Sequence, residues 1–462
     1  MNRADSEKKV LRQEGEFVVQ KMSMSRRMRF LRGFSFAALF LFAGAQTASA
    51  SDLKEILNPK SGKVIYVIGK GGKNKNPGTK DKPMKNIDKA MAKAASGDTI
   101  VVAEGTFKGT FGVGFWEMTK AVKLYGGFNR DFSARNPVKH LTLLQPGPER
   151  FSKAPKKHML FSKNNFEPKH PIVVDGFVFE QGQMNPYEKT QGKPEGVETG
   201  MMKVGAGSAN PNATCVTLFG SDLTVSNNLF VNCANNAVRL KLGGNLGIGL
   251  NGKGRALVAN NVIVASRMSA VEVYGTEDNA GEAEVHHNTI LFTWSRVKDL
   301  ATLGYGVEIL TKVKFNIHDN LIAMNIGPGV NNQRFNSHIK MDNNLFFGNK
   351  KKDFWFNPSS NTDIRINADE FEDLELDSVE GNVNKQIKLP LDKAYFAGVI
   401  AASYSEKTDY NPDSSANQLR AMMGMNKRGK IKSKVSMFAN RYPWKEALKL
   451  WGAIKGKGAQ KD

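Results

Sequence analysis

The sequence predicts an all-β protein built as a parallel β-solenoid, and three observations carry that prediction. A short phrase recurs between Leu223 and Asn349, as LTVSNNLFV, ALVANNVIV, AEVHHNTILF, FNIHDNLIA and IKMDNNLFF. Each copy is an apolar alternation, a polar pair ending in Asn, and a second apolar alternation. The final Asn falls at Asn228, Asn261, Asn288, Asn320 and Asn344, at spacings of 33, 27, 32 and 24 residues, so a fixed core alternates with loops of variable length. Each phrase also holds two strands of side-chain period two that are too short to bury their apolar side alone. Stacking successive coils, like residue on like, solves this. Between the strands the chain must turn sharply. Asn tolerates left-handed backbone geometry there, and its amide can bond to the coils above and below, so five in register would form a ladder. An antiparallel sandwich with Asn-rich turns fits less well, because sandwiches rarely keep the turn residue at one place in every unit.

From the start of the chain, Arg26-Arg27-Met28-Arg29 precedes an apolar run over 34–45, and Ala48-Ser49-Ala50 supplies a small-residue cleavage site. Residues 1–50 therefore read as a secretory signal peptide, and the protein is expected to be exported to the periplasm, the cell surface or the medium. The 21 residues before Met22 are polar and long for such a signal, which leaves Met22, Met24 and Met28 open as starts. Ser25-Arg26-Arg27 hints at twin-arginine export, although Phe30-Leu31 sits one residue late for that pattern, so the route stays open. No Cys stands at the cleavage point, which argues against a lipoprotein. No later apolar run is long enough for a membrane span, so no transmembrane segment is expected after cleavage.

The 462 residues carry 66 Lys and Arg against 44 Asp and Glu, a net +22. Without residues 1–50, 57 basic and 40 acidic residues remain, a net +17. An exported chain this basic is drawn to polyanions, and an acidic polysaccharide or cell-envelope glycan is the expected partner. Solubility alone would also account for the charge. The export signal and the lack of a module combining aromatic and basic residues argue against nucleic acid. A monomer is expected.

The mature chain opens with GKVIYVIGKGGKNKNPGTKDKPMKNIDKAMAKAASGDTIVVAEGTFKG. Tyr66-Val67 reads as the first strand, 76–79 as a turn, and Val101-Val102-Ala103 as a second strand after Gly97-Asp98-Thr99-Ile100. The open end of a solenoid exposes its core, and an amphipathic helix over 84–95 can plug it. This stretch resembles the opening of bacterial right-handed parallel β-helix proteins of the pectate-lyase-like superfamily. The resemblance spans about residues 63–365 and implies a right-handed β-helix with an N-terminal capping helix. Its relatives include polysaccharide lyases, glycosidases, epimerases and many proteins of no known activity. No catalytic set carries over, because the Asp-Pro-His-Asp of alginate epimerases, the paired aspartates of polygalacturonases and the Arg motif of pectate lyases are all absent.

AVKLYGGFN (121–129) and IVVDGFVFEQG (172–182) read as early coils with Gly at tight corners, and Phe115, Trp116 and His140 as packing or surface residues. Residues 181–211 are polar and rich in Gly and Pro, an insertion of the kind that walls a binding groove. Residues 355–367 read as a last coil. Beyond them lies an irregular and helical C-terminal extension, 369–462, expected to pack on the solenoid and to be partly flexible. It begins with the acidic run 369–375, read as a solvated face or cap, and includes the helical pattern RYPWKEALKLWGAI (441–454). The domain boundaries are thus 1–50, 51–368 and 369–462.

Chemistry belongs on the strand that follows the second alternation in each coil. With Val, Leu and Ile pointing inward, two outward columns result: Thr217, Arg239, Glu272, Glu308, Asn331; and Phe219, Lys241, Tyr274, Leu310, Gln333. A β-eliminating lyase needs a base, a cation for the enolate-like intermediate and an acid for the leaving oxygen. Arg239, Lys241, Glu272, Tyr274 and Glu308 are the candidate catalytic set, with Lys241 or Arg239 as base or charge stabiliser and Tyr274 as proton donor. Glu272 and Glu308 could instead form a glycosidase pair or bind Ca²⁺, the one cofactor the pattern admits. A surface ion-pair column is the structural alternative. Lys253 and Arg255, beside the same sheet, join Asn331 and Gln333 as candidate substrate-binding residues. Glu277, Asp278 and Glu282 lie in a loop read as a polar turn or a calcium loop.

At the turns, His286, His318 and Asp342 stand two positions before the ladder Asn, and His287, Asp319 and Asn343 one before. Their types suit a metal, but strand alternation is expected to send the two columns to opposite sides, so no metal site is assigned. Cys215 and Cys233 are read as a disulfide or as stacked buried thiols, without a choice between them.

Overall fold

The computed structural model describes residues 51–110, 114–146, 159–162, 170–181, 187–188, 193–194, 214–242, 254–275, 281–293, 304–310, 313–325, 327–332, 336, 338–349, 352–357, 364–390 and 442–461. The proposed signal segment 1–50, most of the insertion 181–211, and residues 391–441 of the extension lie outside them. Nearly all described strands fall into three sheets of nine. In the central coils the chain visits the first sheet at Asp222–Ser226, the second at Leu229–Val231 and the third at Val238–Leu242, then returns to the first at Arg255–Ala259. Every strand pair between residues 222 and 356 is parallel and in register, for example Val225 with Val258 and Leu240 with Val273. This is a right-handed parallel β-helix, the hand expected of parallel crossovers.

Alternation fills the bore. Val225, Val258, Val285, Ile317 and Met341 stack inward from the first sheet, and Val238, Val271, Val307, Val330 and Phe354 from the third, all in one core. The ladder asparagines are fully buried among them. Asn288 illustrates the pattern: its Oδ1 accepts from Asn261 N at 3.0 Å and Asn261 Nδ2 at 2.9 Å, while its own Nδ2 donates to Val258 O at 2.8 Å and Asn320 Oδ1 at 3.0 Å. A sixth rung, Asn382, accepts from both Asn344 N and Asn344 Nδ2 at 3.0 Å.

One expectation is corrected here. The left-handed residue is not the ladder Asn but the one before it: Asn227 (φ 56), Asn260 (54), His287 (51), Asp319 (54) and Asn343 (55). The corner divides its work between two residues, one making the bend and the next sealing the buried backbone groups. Gly176 (φ 83) makes the same bend one coil earlier. A second left-handed corner follows the short second-sheet strand, at Asn232, Ala265, Phe292, Met324 and Gly348. Asn325 and Asn349 seal it, ending on the carboxylate of Asp353, which accepts from Asn349 Nδ2 at 3.0 Å. Burial pushes the Asp353 carboxyl up to about 6, against the pull of its three donors.

Both ends of the bore are closed. At the N-terminal end the helix Ile87–Lys93 turns Ile87, Ala90 and Met91 into the core. It is shorter than the sequence predicts, because Met84 is used as strand: Met84 N donates to Tyr66 O at 2.9 Å and Met84 O accepts from Ile68 N at 2.9 Å. A further helix, Ser51–Leu57, sets Ile56 on the outside of the first sheet with Phe128 and Phe132. At the other end the chain reverses, so Ile364–Ile366 pairs antiparallel with Phe354–Phe356. The acidic run there folds as a 3₁₀ turn, Ala368–Asp373, whose Phe371 ring packs on Phe346 and Phe354 at 5.6 and 5.9 Å. In the extension, Tyr442, Ala447, Leu450 and Trp451 cover the outer side of the second sheet, where Val231, Val264 and Phe292 lie.

Cys215 and Cys233 form a disulfide with Cα atoms 5.6 Å apart. Closing a loop of 18 residues is worth about 3 kcal/mol in the chain-entropy picture. Replacing both cysteines with serine is therefore expected to lower the unfolding free energy by about that amount, as read by urea titration under non-reducing conditions.

Candidate functional site

The third sheet carries an outward column along its whole length. Register pairs Glu117 with Phe161, Phe161 with Thr217, and then Thr217, Arg239, Glu272, Glu308, Asn331, Trp355 and Arg365 in turn. Alternation makes these side chains share one face, one strand spacing apart. Phe219, Lys241 and Tyr274 form a parallel column beside it.

Arg239 and Glu272 form an ion pair: Nη2 donates to Oε2 at 3.0 Å, and Nε lies 2.9 Å from Oε1 without hydrogen-bond geometry. Glu272 is buried and also accepts from the Asn236 amide, while the buried Glu308 accepts from the Ser269 hydroxyl. Glu272 and Glu308 gather no third carboxylate or imidazole at metal-ligand spacing among the described residues. Lys241 lies between two rings, its Nζ 5.0 Å from the Phe219 centroid and 4.7 Å from that of Tyr274. Burial pulls its pKa below the usual lysine range. Neighbouring Arg239 adds to the fall, and Glu272 opposes it. Asn331 is fully buried with neither amide atom partnered among the described residues, an expensive arrangement unless something else bonds it. Arg365 covers the Trp355 ring at 4.4 Å.

The columns thus bring together Arg239, Lys241, Glu272, Tyr274, Glu308 and Asn331. Lys253, Gln333, Glu277 and Asp278 lie outside the described residues. Arg255 is a correction: it opens a first-sheet strand and pairs with Glu284 at 3.5 Å, because the chain has already crossed to another face. Glu282 is likewise on the first sheet, beside Arg255 and Lys314. Asn236 and Ser269, which hold the two carboxylates, escape sequence reasoning, since neither lies at an outward strand position of the repeat. Trp355 is reachable by extending the alignment one coil further, but Arg365 is not, because its strand reverses and pairs antiparallel.

The turn columns are a second correction. The left-handed residue breaks strand alternation, so His287 and Asp319 project to the same side as His286 and His318. His286 and His318 stack with centroids 4.9 Å apart, and His286 Nδ1 lies 2.9 Å from His287 Nδ1. His318 reaches Asp319 Oδ2 through Nδ1 at 2.9 Å and Glu284 Oε1 through Nε2 at 3.4 Å. Burial pulls His286 down to about 4 and His287 below its ordinary value. Burial acts the same way on His318, but its bonds to Glu284 and Asp319 outweigh it and raise the pKa.

A family model described as a protein of unknown function (DUF1565) matches residues 70–140, the N-terminal cap and first coils. No curated protein matches the chain. Among solved structures, XylC in complex with xylose is similar at 11% identity over 63% of this chain, with a TM-score of 0.39. Pectate lyase Pel9A is similar at 13% identity over 66% of this chain and 73% of its own, with a TM-score of 0.33. The chain spans 63% of the length of the XylC structure.

Proposed function

We propose that this β-helix is exported and acts on an acidic polysaccharide laid along the outer face of the third sheet, cleaving it by β-elimination. The observation that carries the reading is Lys241, an amine held between two aromatic rings beside an Arg–Glu ion pair, with its pKa lowered. A lysine so placed has a larger neutral fraction, and a neutral amine can take the proton from the carbon next to a uronate carboxylate. The Arg239 guanidinium lies in the same column, suited to the charge that develops on that carboxylate. As the C5–H bond breaks to Lys241, the C4=C5 double bond forms and the C4–O bond breaks. Tyr274, whose ring touches Lys241, then supplies the proton that the leaving oxygen takes. The disulfide and the basic charge support an exported location and a polyanionic partner.

The test is absorbance in the unsaturated-uronate band with alginate, polygalacturonate and glycosaminoglycans, with and without Ca²⁺. The rate is expected to rise with pH through the depressed Lys241 pKa, because the neutral amine is the active form. Lys241→Arg keeps the charge but cannot deprotonate at working pH, so it should lower the rate by about 100-fold or more. Salt-sensitive binding to one polymer with no absorbance change in any of them would sink the lyase and leave a binding solenoid. In that case the paired charges of the column serve recognition alone.

A further inference from the structure

At the corner between the first and second sheets, away from the third-sheet column, two consecutive coils place His286-His287 above His318-Asp319. One ligand atom from each of His287, His318 and Asp319 lies within 4.8 Å of the other two. Two imidazoles and a carboxylate are a ligand set for a borderline divalent metal of the zinc class, and less so for calcium or magnesium, which prefer oxygen.

The surroundings favour this use over a plain polar turn. Metal-binding histidines usually have the second ring nitrogen held by another group, which fixes ring orientation. Here His318 Nε2 is held by Glu284 at 3.4 Å, leaving Nδ1 beside Asp319 Oδ2. His287 Nδ1 is held by His286 at 2.9 Å, leaving Nε2. Glu284 is itself tied to Arg255 at 3.5 Å, and the His286 ring is stacked on His318. The backbone fixes both coils rigidly, since His287 and Asp319 are the corner residues next to buried ladder asparagines. A cation already sits against the cluster: Lys457 Nζ lies 3.4 Å from Asp319 Oδ1, and Gly458 N donates to Asp319 O at 2.8 Å. The C-terminal segment therefore crosses the edge of the cluster.

We propose that His287 Nε2, His318 Nδ1 and Asp319 Oδ2 form a binding site for one zinc-class divalent ion, with His286 and Glu284 as positioning residues and Lys457 as a competing internal cation. A tetrahedral shell then has one place left for water. This proposal does not depend on the activity proposed for the third sheet.

The experiment uses the full chain without a histidine tag, stripped with chelator and titrated with Zn²⁺ by calorimetry and with Co²⁺ by visible absorption. One equivalent should bind, and saturating Zn²⁺ should raise the unfolding temperature. His287→Ala and His318→Ala should each weaken binding by about 10-fold or more, and so should His286→Ala by loss of orientation. Lys457→Ala should tighten binding, a result no folding defect can mimic. His338→Ala, at an exposed histidine elsewhere, should change nothing. Stoichiometric binding that survives both His287→Ala and His318→Ala, or no saturable binding in the chelator-stripped wild-type protein, would overturn the proposal.

Discussion

Asn288→Ala is expected to destabilise the protein by about 4 kcal/mol or more, because it opens the middle of the ladder. The substitution removes the acceptor of two buried donors, Asn261 N and Nδ2, and the donor to Val258 O and Asn320 Oδ1. Each buried group left without a partner costs about 1–3 kcal/mol, and no water reaches a fully buried side chain to replace it. A solenoid is held by nearest-neighbour interfaces, so a broken rung weakens the contact between the coils on either side. The control is Asn343→Gly at the left-handed position of another coil. There the side chain is exposed and glycine accepts φ 55 without strain, so the cost should stay within about 1 kcal/mol. Chemical denaturation of the two variants decides the matter: equal losses would mean that the ladder is decoration on a corner set by backbone geometry alone.

Arg239→Ala is expected to cost about 3–5 kcal/mol, as breaking a buried pair leaves a charge without compensation. Glu272 is only 4% exposed, and its other support here is the Asn236 amide. Adding Glu272→Gln removes the stranded charge, so the double variant should be more stable than Arg239→Ala alone. A double-mutant cycle from urea unfolding gives the coupling directly. The same pair tunes Lys241: Arg239 lowers its pKa and Glu272 raises it. Losing Arg239 should therefore move the rising limb of the rate profile to higher pH. A rate profile that is unmoved while stability falls would show that the pair is structural and that Lys241 is not the base.

Much of the third-sheet face is legible in the amino-acid sequence. Once the Asn ladder fixes register, a period-two strand says which side chains share a face, and Arg239, Glu272, Glu308 and Asn331 fall into line. The same rule covers Arg255 and fails for the histidines. Arg255 stands directly before Ala256, the first residue of a repeat phrase, so it heads a first-sheet strand, and assigning it with the preceding loop to the third sheet overlooks that. His287 and Asp319 sit where a left-handed residue interrupts alternation, and a pattern that assumes period two puts them on the wrong side. The capping helix is shorter than its pattern for a related reason, since the backbone of Met84 is claimed by Tyr66 and Ile68 across the sheet.

Local periodicity and a repeated buried amide are enough to read the β-helix, its coils and its inward and outward faces from the amino-acid order. What those faces hold together is set by the folded coils. The Cys215–Cys233 bond, the Asn236 and Ser269 grips on the two carboxylates, the seating of Lys241 between Phe219 and Tyr274, and the gathering of His287, His318 and Asp319 all join residues from different coils or corners. Such contacts depend on how each loop returns and how each corner bends, and neither is encoded in the spacing of apolar residues.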